Sequence, residues 1–216
     1  MAVKVKICGV TAPEDARGTA EAGADAIGLN FVPSSPRFLR KHETALVLML
    51  ATHGKGVLRI GVFADAPAVE ILAKVDALGL EGVQLHGSET PALAKDLRSG
   101  GPPGLQIWKA FRVGTRADLD ALRLNEWPCD AVLFDTSVKG ALGGTGRSFD
   151  WSILEGFRPP VPLVLAGGLH PGNVDEAVRR VQPAWVDTAS GVEAEPGHKD
   201  LAKVREFVTE AKRICV

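Results

Sequence analysis

The spacing of short apolar runs is the feature that most constrains how this chain can fold. Runs rich in valine, isoleucine, leucine and phenylalanine recur about every 26 residues, and stretches with helical patterning fill the intervals. We predict strands at Val3–Cys8, Ala26–Phe31, Leu58–Phe63, Gly82–Leu85, Gln106–Phe111, Ala131–Phe134, Leu163–Ala166 and Trp185–Thr188. Eight such units predict a parallel α/β fold, and their number favours a closed (β/α)8 TIM barrel over an open doubly wound sheet. No linker or change in composition divides residues 1–216, so we predict one compact domain.

Helix signals support the same alternation. Proline lies in the first turn of two predicted helices, at Pro13 and Pro91, and Thr115 is placed to cap the amino end of another. The pattern predicts a first helix whose first turn is Pro13–Asp15 and which continues over Ala16–Ala22, and a further helix opened by Ser88–Pro91. It also predicts helices over Ala68–Leu78, Arg116–Leu124, Pro171–Val181 and Asp200–Ile214.

Composition excludes several classes of protein. The 216 residues carry 25 basic and 26 acidic side chains, a balance that argues against a nucleic-acid-binding protein. No apolar run approaches the roughly 18 residues that a membrane span needs, and Met1–Cys8 alternates lysine with valine or isoleucine, unlike a signal peptide. We therefore expect a cytoplasmic protein.

The cysteines and histidines do not form a metal-binding pattern. Cys8, Cys129 and Cys215 lie far apart, and their odd number leaves at least one free, as expected in a reducing compartment. The five histidines lack the close spacing of metal ligands. We expect no metal site, and Cys129 and Cys215 to be structural or without a role.

Cys8 ends the first predicted strand, and barrel active sites lie at the carboxyl ends of the strands. Alternation places Val3, Val5 and Ile7 on one face and Lys6 and Cys8 on the other, which directs Cys8 into the barrel mouth. A nearby Lys6 would lower the pKa of the thiol, as a catalytic cysteine requires. The alternative is a small buried apolar residue.

Asp135 follows the sixth strand and is the candidate acid. Partial burial beside apolar residues would raise the pKa of its carboxyl and suit it to general acid catalysis, whereas a turn aspartate bound by backbone amides is the plain alternative. The chain contains no tyrosine that could take this role.

The loops after the last two strands are candidates for binding phosphate. Gly167 and Gly168, with Ser190 and Gly191, would let backbone amides approach phosphate oxygens, although ordinary left-handed turns also use glycine.

Two further loop residues carry useful chemistry. Arg37 could bind a carboxylate through two parallel hydrogen bonds, assisted by His86, although such residues are often solvated or structural. The glycine-rich segment 136–149 resembles a mobile lid and lacks the ending of a nucleotide-binding P-loop.

The ordered set of these motifs resembles the phosphoribosylanthranilate isomerase family of tryptophan biosynthesis. The matching segments run from residue 5 to residue 200 and are Val5–Gly9, Gly28–Phe31 with Ser34–Arg37, Gly61–Phe63, Gln84–Gly87, Phe134-Asp135, Gly143–Gly146 with Phe149–Trp151, Leu165–Leu169, Asp187–Glu193 and Gly197–Asp200.

The resemblance implies a (β/α)8 barrel that performs an Amadori rearrangement without a cofactor. It implies Asp135 as the general acid and Cys8 as the general base. It also implies substrate contacts from Arg37, His86 and Asp187, and phosphate binding around Gly168 and Gly191. The partner it implies is a small phosphosugar, with the protein a monomer or a homodimer.

Two other functions remain open. One is a Schiff-base aldolase or synthase with Lys109 as nucleophile, since Lys109 lies within a strand and could face the barrel interior. The other is a phosphosugar-binding protein without activity, although such a protein has no need of both Cys8 and Asp135.

Overall fold

The computed structural model describes residues 2–39, 56–135 and 151–213. Its eight parallel strands hydrogen-bond in sequence order and close into a barrel. The strands are β1 (Lys4–Cys8), β2 (Ala26–Asn30), β3 (Leu58–Phe63), β4 (Gly82–Leu85), β5 (Gln106–Arg112), β6 (Ala131–Asp135), β7 (Leu163–Ala166) and β8 (Trp185–Thr188).

Closure occurs at β1, which pairs with β2 on one side and with β8 on the other. Lys6 lies in register with Ala26 of β2 and with Asp187 of β8. The predicted (β/α)8 fold is confirmed, and the predicted strand bounds agree with the observed ones to within a residue.

The helices of the described residues cover the outside of the barrel. They are α1 (Pro13–Glu21), α2 (Ala68–Leu78), α3 (Pro91–Gly100), α4 (Arg116–Ala121), α5 (Val174–Val181) and α6 (Leu201–Lys212). A two-stranded antiparallel hairpin, β9 (Glu193–Glu195) and β10 (His198–Lys199), lies between β8 and α6. Thr115 forms the predicted cap, accepting a hydrogen bond from the backbone N–H of Asp118.

Two helix bounds differ from prediction by three residues. Helix α4 stops at Ala121 because Leu122 turns to an extended conformation, and Leu124–Glu126 forms a separate 3₁₀ turn. Helix α5 begins at Val174 because the preceding residues form a turn closed by Asn173, whose side-chain oxygen accepts from the backbone N–H of His170. Periodicity alone does not separate such turns from helix.

Buried apolar side chains form two clusters on opposite sides of the strand wall. The larger lies between strands and helices and includes Val3, Val5 and Ile7 of β1. The smaller lies inside the barrel, where Trp108 of β5 and Trp185 of β8 meet edge to face with ring centroids 5.1 Å apart. Because strands 5 and 8 are not neighbours, this contact crosses the interior. These two tryptophans lie near the amino ends of their strands, whereas the polar side chains of the interior lie nearer the carboxyl ends.

No helix within the described parts of the chain is long and apolar enough to cross a bilayer.

Candidate active site

Lys6 and Cys8 of β1 face the barrel interior, as the alternation predicts. Lys6 is fully buried and donates from Nζ to Oδ1 of Asp187 at 2.9 Å. Gly28 of β2 lies beside Cys8 in register, and a Cβ built there would lie 2.7 Å from the Cys8 Sγ and 3.1 Å from the Lys6 Nζ. The thiol, the ammonium and the carboxylate therefore form one buried group at the top of strands 1 and 8.

The electrostatics of the Cys8 thiol differ from the expectation. Burial raises the pKa of Cys8, and the nearby Asp187 carboxylate raises it further. The cations Lys6 and Lys199 act in the opposite direction. The sign expected for Lys6 is thus correct for its own contribution, but the net pKa is raised because burial is the larger effect.

The Lys6–Asp187 pair is itself shaped by burial. Burial acts to lower the pKa of Lys6, but the charges of Asp187 and Cys8 outweigh it, so that pKa is raised. Burial raises the pKa of Asp187, while Lys6 opposes this. The ammonium is therefore held charged beneath the thiol.

His86 and Asp135 meet across the mouth of the barrel. Nε2 of His86 lies 3.6 Å from Oδ2 of Asp135, and both side chains are partly buried. The other ring nitrogen, Nδ1, lies 2.8 Å from Nε2 of the buried Gln84. The structure thus brings together the two predicted residues of strands 4 and 6.

Arg37 adopts a fixed position in the loop after β2. Its Nε and Nη2 donate to the two carboxylate oxygens of Glu193 at 2.7 and 2.6 Å. The hydrogen bonds that Arg37 donates to Glu193 raise the pKa of Arg37. The side chain lies against Gly9, which has φ +72° and where any Cβ would overlap the Arg37 Cδ. Arg37 therefore lies directly beside the end of β1.

The two predicted phosphate-binding loops lie in contact. Gly167 and Gly168 have φ of +91° and +68°, a region that favours glycine, and a Cβ on Gly168 would point into open space. A Cβ on Gly191 would overlap the carbonyl of Leu169, to which the hydroxyl of Thr188 also donates at 2.7 Å. Ser190 begins a short 3₁₀ turn in the second loop. Backbone amides from both loops can thus approach one anion.

The expectation that Lys109 could face the interior is wrong. Its strand neighbours Trp108 and Ala110 belong to the interior cluster, so Lys109 points outward. There its Nζ donates to Glu89 at 2.7 Å and to the carbonyl of Gly87 at 2.8 Å. A lysine that is buried, ion-paired and outside the barrel cannot reach a ligand in the mouth, which removes the basis for a Schiff-base role.

Sequence analysis gave no role to three polar residues of this region, although all three lie in the segments that resemble the family. Glu193 and Lys199 pair at 2.8 Å and lie beside Arg37, and Gln84 lies behind His86. Gln84, on the interior face of its strand, could have been found by alternation. Glu193 could not, because a buried glutamate in a charged segment has the same pattern as a solvated one.

The described residues include no group of three or more histidine, cysteine, aspartate or glutamate side chains that could hold a metal ion. The predicted lid, 136–149, lies outside the described residues, as does Cys215. Cys129 is a buried free cysteine whose pKa is raised by burial.

Comparisons with known proteins agree with this geometry. The family model described as N-(5'phosphoribosyl)anthranilate (PRA) isomerase matches residues 5–210. Proteins named N-(5'-phosphoribosyl)anthranilate isomerase from Magnetococcus marinus and Azotobacter vinelandii are 42% and 43% identical to this chain. The alignments cover 99% and 98% of it, and 97% and 98% of the relatives.

Solved structures give the same result. The phosphoribosyl anthranilate isomerase of Thermotoga maritima superposes with a TM-score of 0.84 at 37% identity, covering 98% of this chain and 100% of that one. A second structure of such an isomerase, in complex with reduced 1-(o-carboxyphenylamino)-1-deoxyribulose 5-phosphate, has a TM-score of 0.81 at 35% identity, with the same coverage. A 3-hexulose-6-phosphate synthase at 15% identity and TM-score 0.70 shares the fold alone. With nearly the whole chain matched in sequence and fold, this protein belongs to the N-(5'-phosphoribosyl)anthranilate isomerase family of tryptophan biosynthesis.

Proposed function

We propose that this enzyme converts N-(5-phosphoribosyl)anthranilate into 1-(o-carboxyphenylamino)-1-deoxyribulose 5-phosphate by an Amadori rearrangement, with Asp135 as general acid and Cys8 as general base. The observation that carries the proposal is the placement of a carboxyl and a thiol on β6 and β1, at the same end of the barrel. A substrate held between these strands would meet an acid on one side and a base on the other.

The acid step opens the ribose ring. Asp135 gives its proton to the ring oxygen, the bond from C1′ to that oxygen breaks, and the anthranilate nitrogen lone pair forms the C1′ imine. His86, with Nε2 3.6 Å from the Asp135 carboxylate, is suited to bind the substrate beside it. Asp135 must be protonated for this step, so its carboxylate is the product of ring opening.

The base step moves a proton from carbon. The Cys8 thiolate takes the proton at C2′ and becomes a thiol, the C2′–H electron pair forms a C1′=C2′ double bond, and the π pair of the protonated imine moves to nitrogen. The resulting enolamine tautomerises to the ketone. Burial favours the neutral thiol, which would oppose this step if the thiol were alone. Lys6 and Lys199 lower the pKa of Cys8 by favouring the thiolate, so we propose that they increase the fraction of Cys8 that can act as a base.

The remaining contacts would hold the two anionic ends of the substrate. Gly167, Gly168, Ser190 and Gly191 would bind the phosphate through backbone amides. Arg37 would pair with the anthranilate carboxylate.

Asp187 is proposed to contact the sugar. Lys6 occupies its Oδ1, which would leave Oδ2 for a hydroxyl group.

The test is a direct assay of the purified protein. Freshly prepared phosphoribosylanthranilate is mixed with the enzyme, and the loss of anthranilate fluorescence is followed. The proposal predicts turnover well above the uncatalysed decay of the substrate. A rate equal to that decay would contradict it and would favour a phosphosugar-binding protein without activity.

A further inference from the structure

Glu193 accepts several hydrogen bonds beside Arg37, although the proposed chemistry gives it no step. Its side chain is only 5% exposed. Its oxygens accept from Arg37 at 2.7 and 2.6 Å, from Nζ of Lys199 at 2.8 Å and from the backbone N–H of Gly197 at 3.3 Å. Burial acts to raise the pKa of Glu193, but the hydrogen bonds from Arg37 and Lys199 outweigh it and the pKa is lowered. Glu193 is therefore a fixed carboxylate.

The geometry of the Arg37–Glu193 contact leaves one edge of the guanidinium available. A guanidinium can bind a carboxylate through the edge formed by Nε and one terminal nitrogen, or through the edge formed by both terminal nitrogens. Glu193 takes the first of these edges. Nη1 has no hydrogen-bond partner among residues 2–39, 56–135 and 151–213. A second carboxylate could bind there without displacing Glu193.

Arg37 lies beside the end of β1 that carries Cys8, from which we infer that its second edge faces the site. Its aliphatic part lies against Gly9, immediately after Cys8. Because Glu193 already holds the Nε edge, the side chain does not need to lose further rotamer freedom when a ligand binds.

The charges of this cluster also suit an anion. Arg37 and Lys199 are basic and Glu193 is the one acid, so the cluster has a net positive charge when Lys199 is protonated. Burial lowers the pKa of Lys199, and Glu193 opposes this. Lys199 in addition donates to the carbonyl of Ala189 at 3.2 Å, next to the loop of Ser190 and Gly191. Through Lys199, Glu193 is thus connected to the proposed phosphate-binding loop, and through its own hydrogen bonds it is connected to Arg37 in the loop after β2.

We propose that Glu193 is a positioning residue that orients Arg37 for an aromatic carboxylate, and so makes the enzyme selective for substrates that carry one. The inference rests on the proposed function, which assigns Arg37 to the anthranilate carboxylate. Glu193 itself touches neither the substrate nor the reacting atoms.

The test compares two ligands that differ only in the carboxylate. One is reduced 1-(o-carboxyphenylamino)-1-deoxyribulose 5-phosphate, and the other is the same compound without its carboxyl group. Dissociation constants are measured by titration calorimetry for the wild type, Glu193→Gln, Arg37→Ala and the double variant. Asp130→Asn is the control, because Asp130 forms an ion pair with Arg98 at the amino end of β6.

The wild type should bind the carboxylated ligand about tenfold or more tightly, the range of a charge-assisted hydrogen-bonded pair. Glu193→Gln should lose most of this preference while its affinity for the other ligand changes by less than about twofold. The double variant should lose no more preference than Arg37→Ala alone. The control should keep the wild-type preference.

Each other outcome identifies what is wrong. A wild type without preference would overturn the role of Arg37 in the proposed function. An undiminished preference in Glu193→Gln, or an equal loss for both ligands, would overturn the positioning role alone. If Glu193→Gln does not fold, as judged by circular dichroism, Glu193→Asp provides the same comparison. Its shorter side chain keeps the charge but should still reduce the preference, and an unchanged preference would contradict the inference.

Discussion

Two buried lysines on barrel strands show how the two sides of the strand wall differ in their chemistry. Lys6 on β1 faces the interior and pairs with Asp187 beneath Cys8, whereas Lys109 on β5 faces outward and pairs with Glu89. Both side chains are at most 4% exposed. The residue type, burial and type of partner are the same, so only the face of the strand separates a group that can influence a bound ligand from one that cannot.

The net pKa shifts of the two partner carboxylates are in opposite directions, although burial acts in the same direction on both. The pKa of Asp187 is raised by burial, with Lys6 opposing. For Glu89 burial also acts to raise the pKa, but Lys109 and the backbone N–H groups of Asp65 and of Glu89 itself outweigh it, so the pKa is lowered. The Glu89 carboxylate thus accepts several hydrogen bonds and fixes the loop that follows β4. In the inner pair Lys6 donates to Oδ1 of Asp187, and we propose that Oδ2 binds the ligand.

Removing the inner lysine should have the largest effect. Lys6→Met leaves the Asp187 carboxylate buried without its cation, which costs about 3–5 kcal/mol of unfolding free energy. It also removes a charge that favours the Cys8 thiolate, so kcat should fall by about a hundredfold, within the range for a proton-transfer step. Urea unfolding and the fluorescence assay measure the two effects. Lys4→Met is the control, because Lys4 lies on the same face of β1 but is exposed.

Lys109→Met should separate stability from activity. It leaves Glu89 buried and unpaired, so the loss of unfolding free energy should again be about 3–5 kcal/mol. The decrease in kcat should stay below about tenfold, because Lys109 lies outside the interior. A decrease in kcat as large as that of Lys6→Met would contradict the claim that only the interior face of the strands affects catalysis.

Acid should weaken the outer pair. A carboxyl whose folded pKa is lowered stabilises the fold fully above its unfolded pKa, about 4.3 for glutamate, and this contribution is lost as pH falls through the folded value. The unfolding free energy of the wild type should therefore exceed that of Glu89→Gln by more at neutral pH than at about pH 3. Urea unfolding at both pH values gives the difference, and a gap that widens in acid would be the wrong sign.

The smallest expected effect is on the titration of Cys8. Because Lys6 lowers the pKa of the thiol, Lys6→Met should move the midpoint of Cys8 alkylation to higher pH, while Lys109→Met should leave it unchanged. Iodoacetamide labelling across the pH range, with both Cys129 and Cys215 replaced by alanine in the background, measures the midpoint. An unshifted midpoint in Lys6→Met would refute the role assigned to Lys6.

The same comparison shows what the sequence could predict. Strand β1 alternates cleanly, so the interior positions of Lys6 and Cys8 followed from the pattern. Strand β5 has apolar residues on both faces, because a barrel strand is buried on both sides, and Lys109 could not be placed. The hydrogen bonds from Arg37 to Glu193 span 156 residues of chain, and no local pattern indicates such a pairing.

Replacing the proposed acid and base tests the central claim most directly. Cys8→Ala and Asp135→Asn should each reduce kcat for phosphoribosylanthranilate by about 10²–10⁴ with the fold retained, since each removes a proton-transfer group. Cys129→Ala, which removes another buried free cysteine outside the barrel mouth, should keep kcat within about twofold of the wild type. Near-complete turnover by either Cys8→Ala or Asp135→Asn would contradict the assigned chemistry.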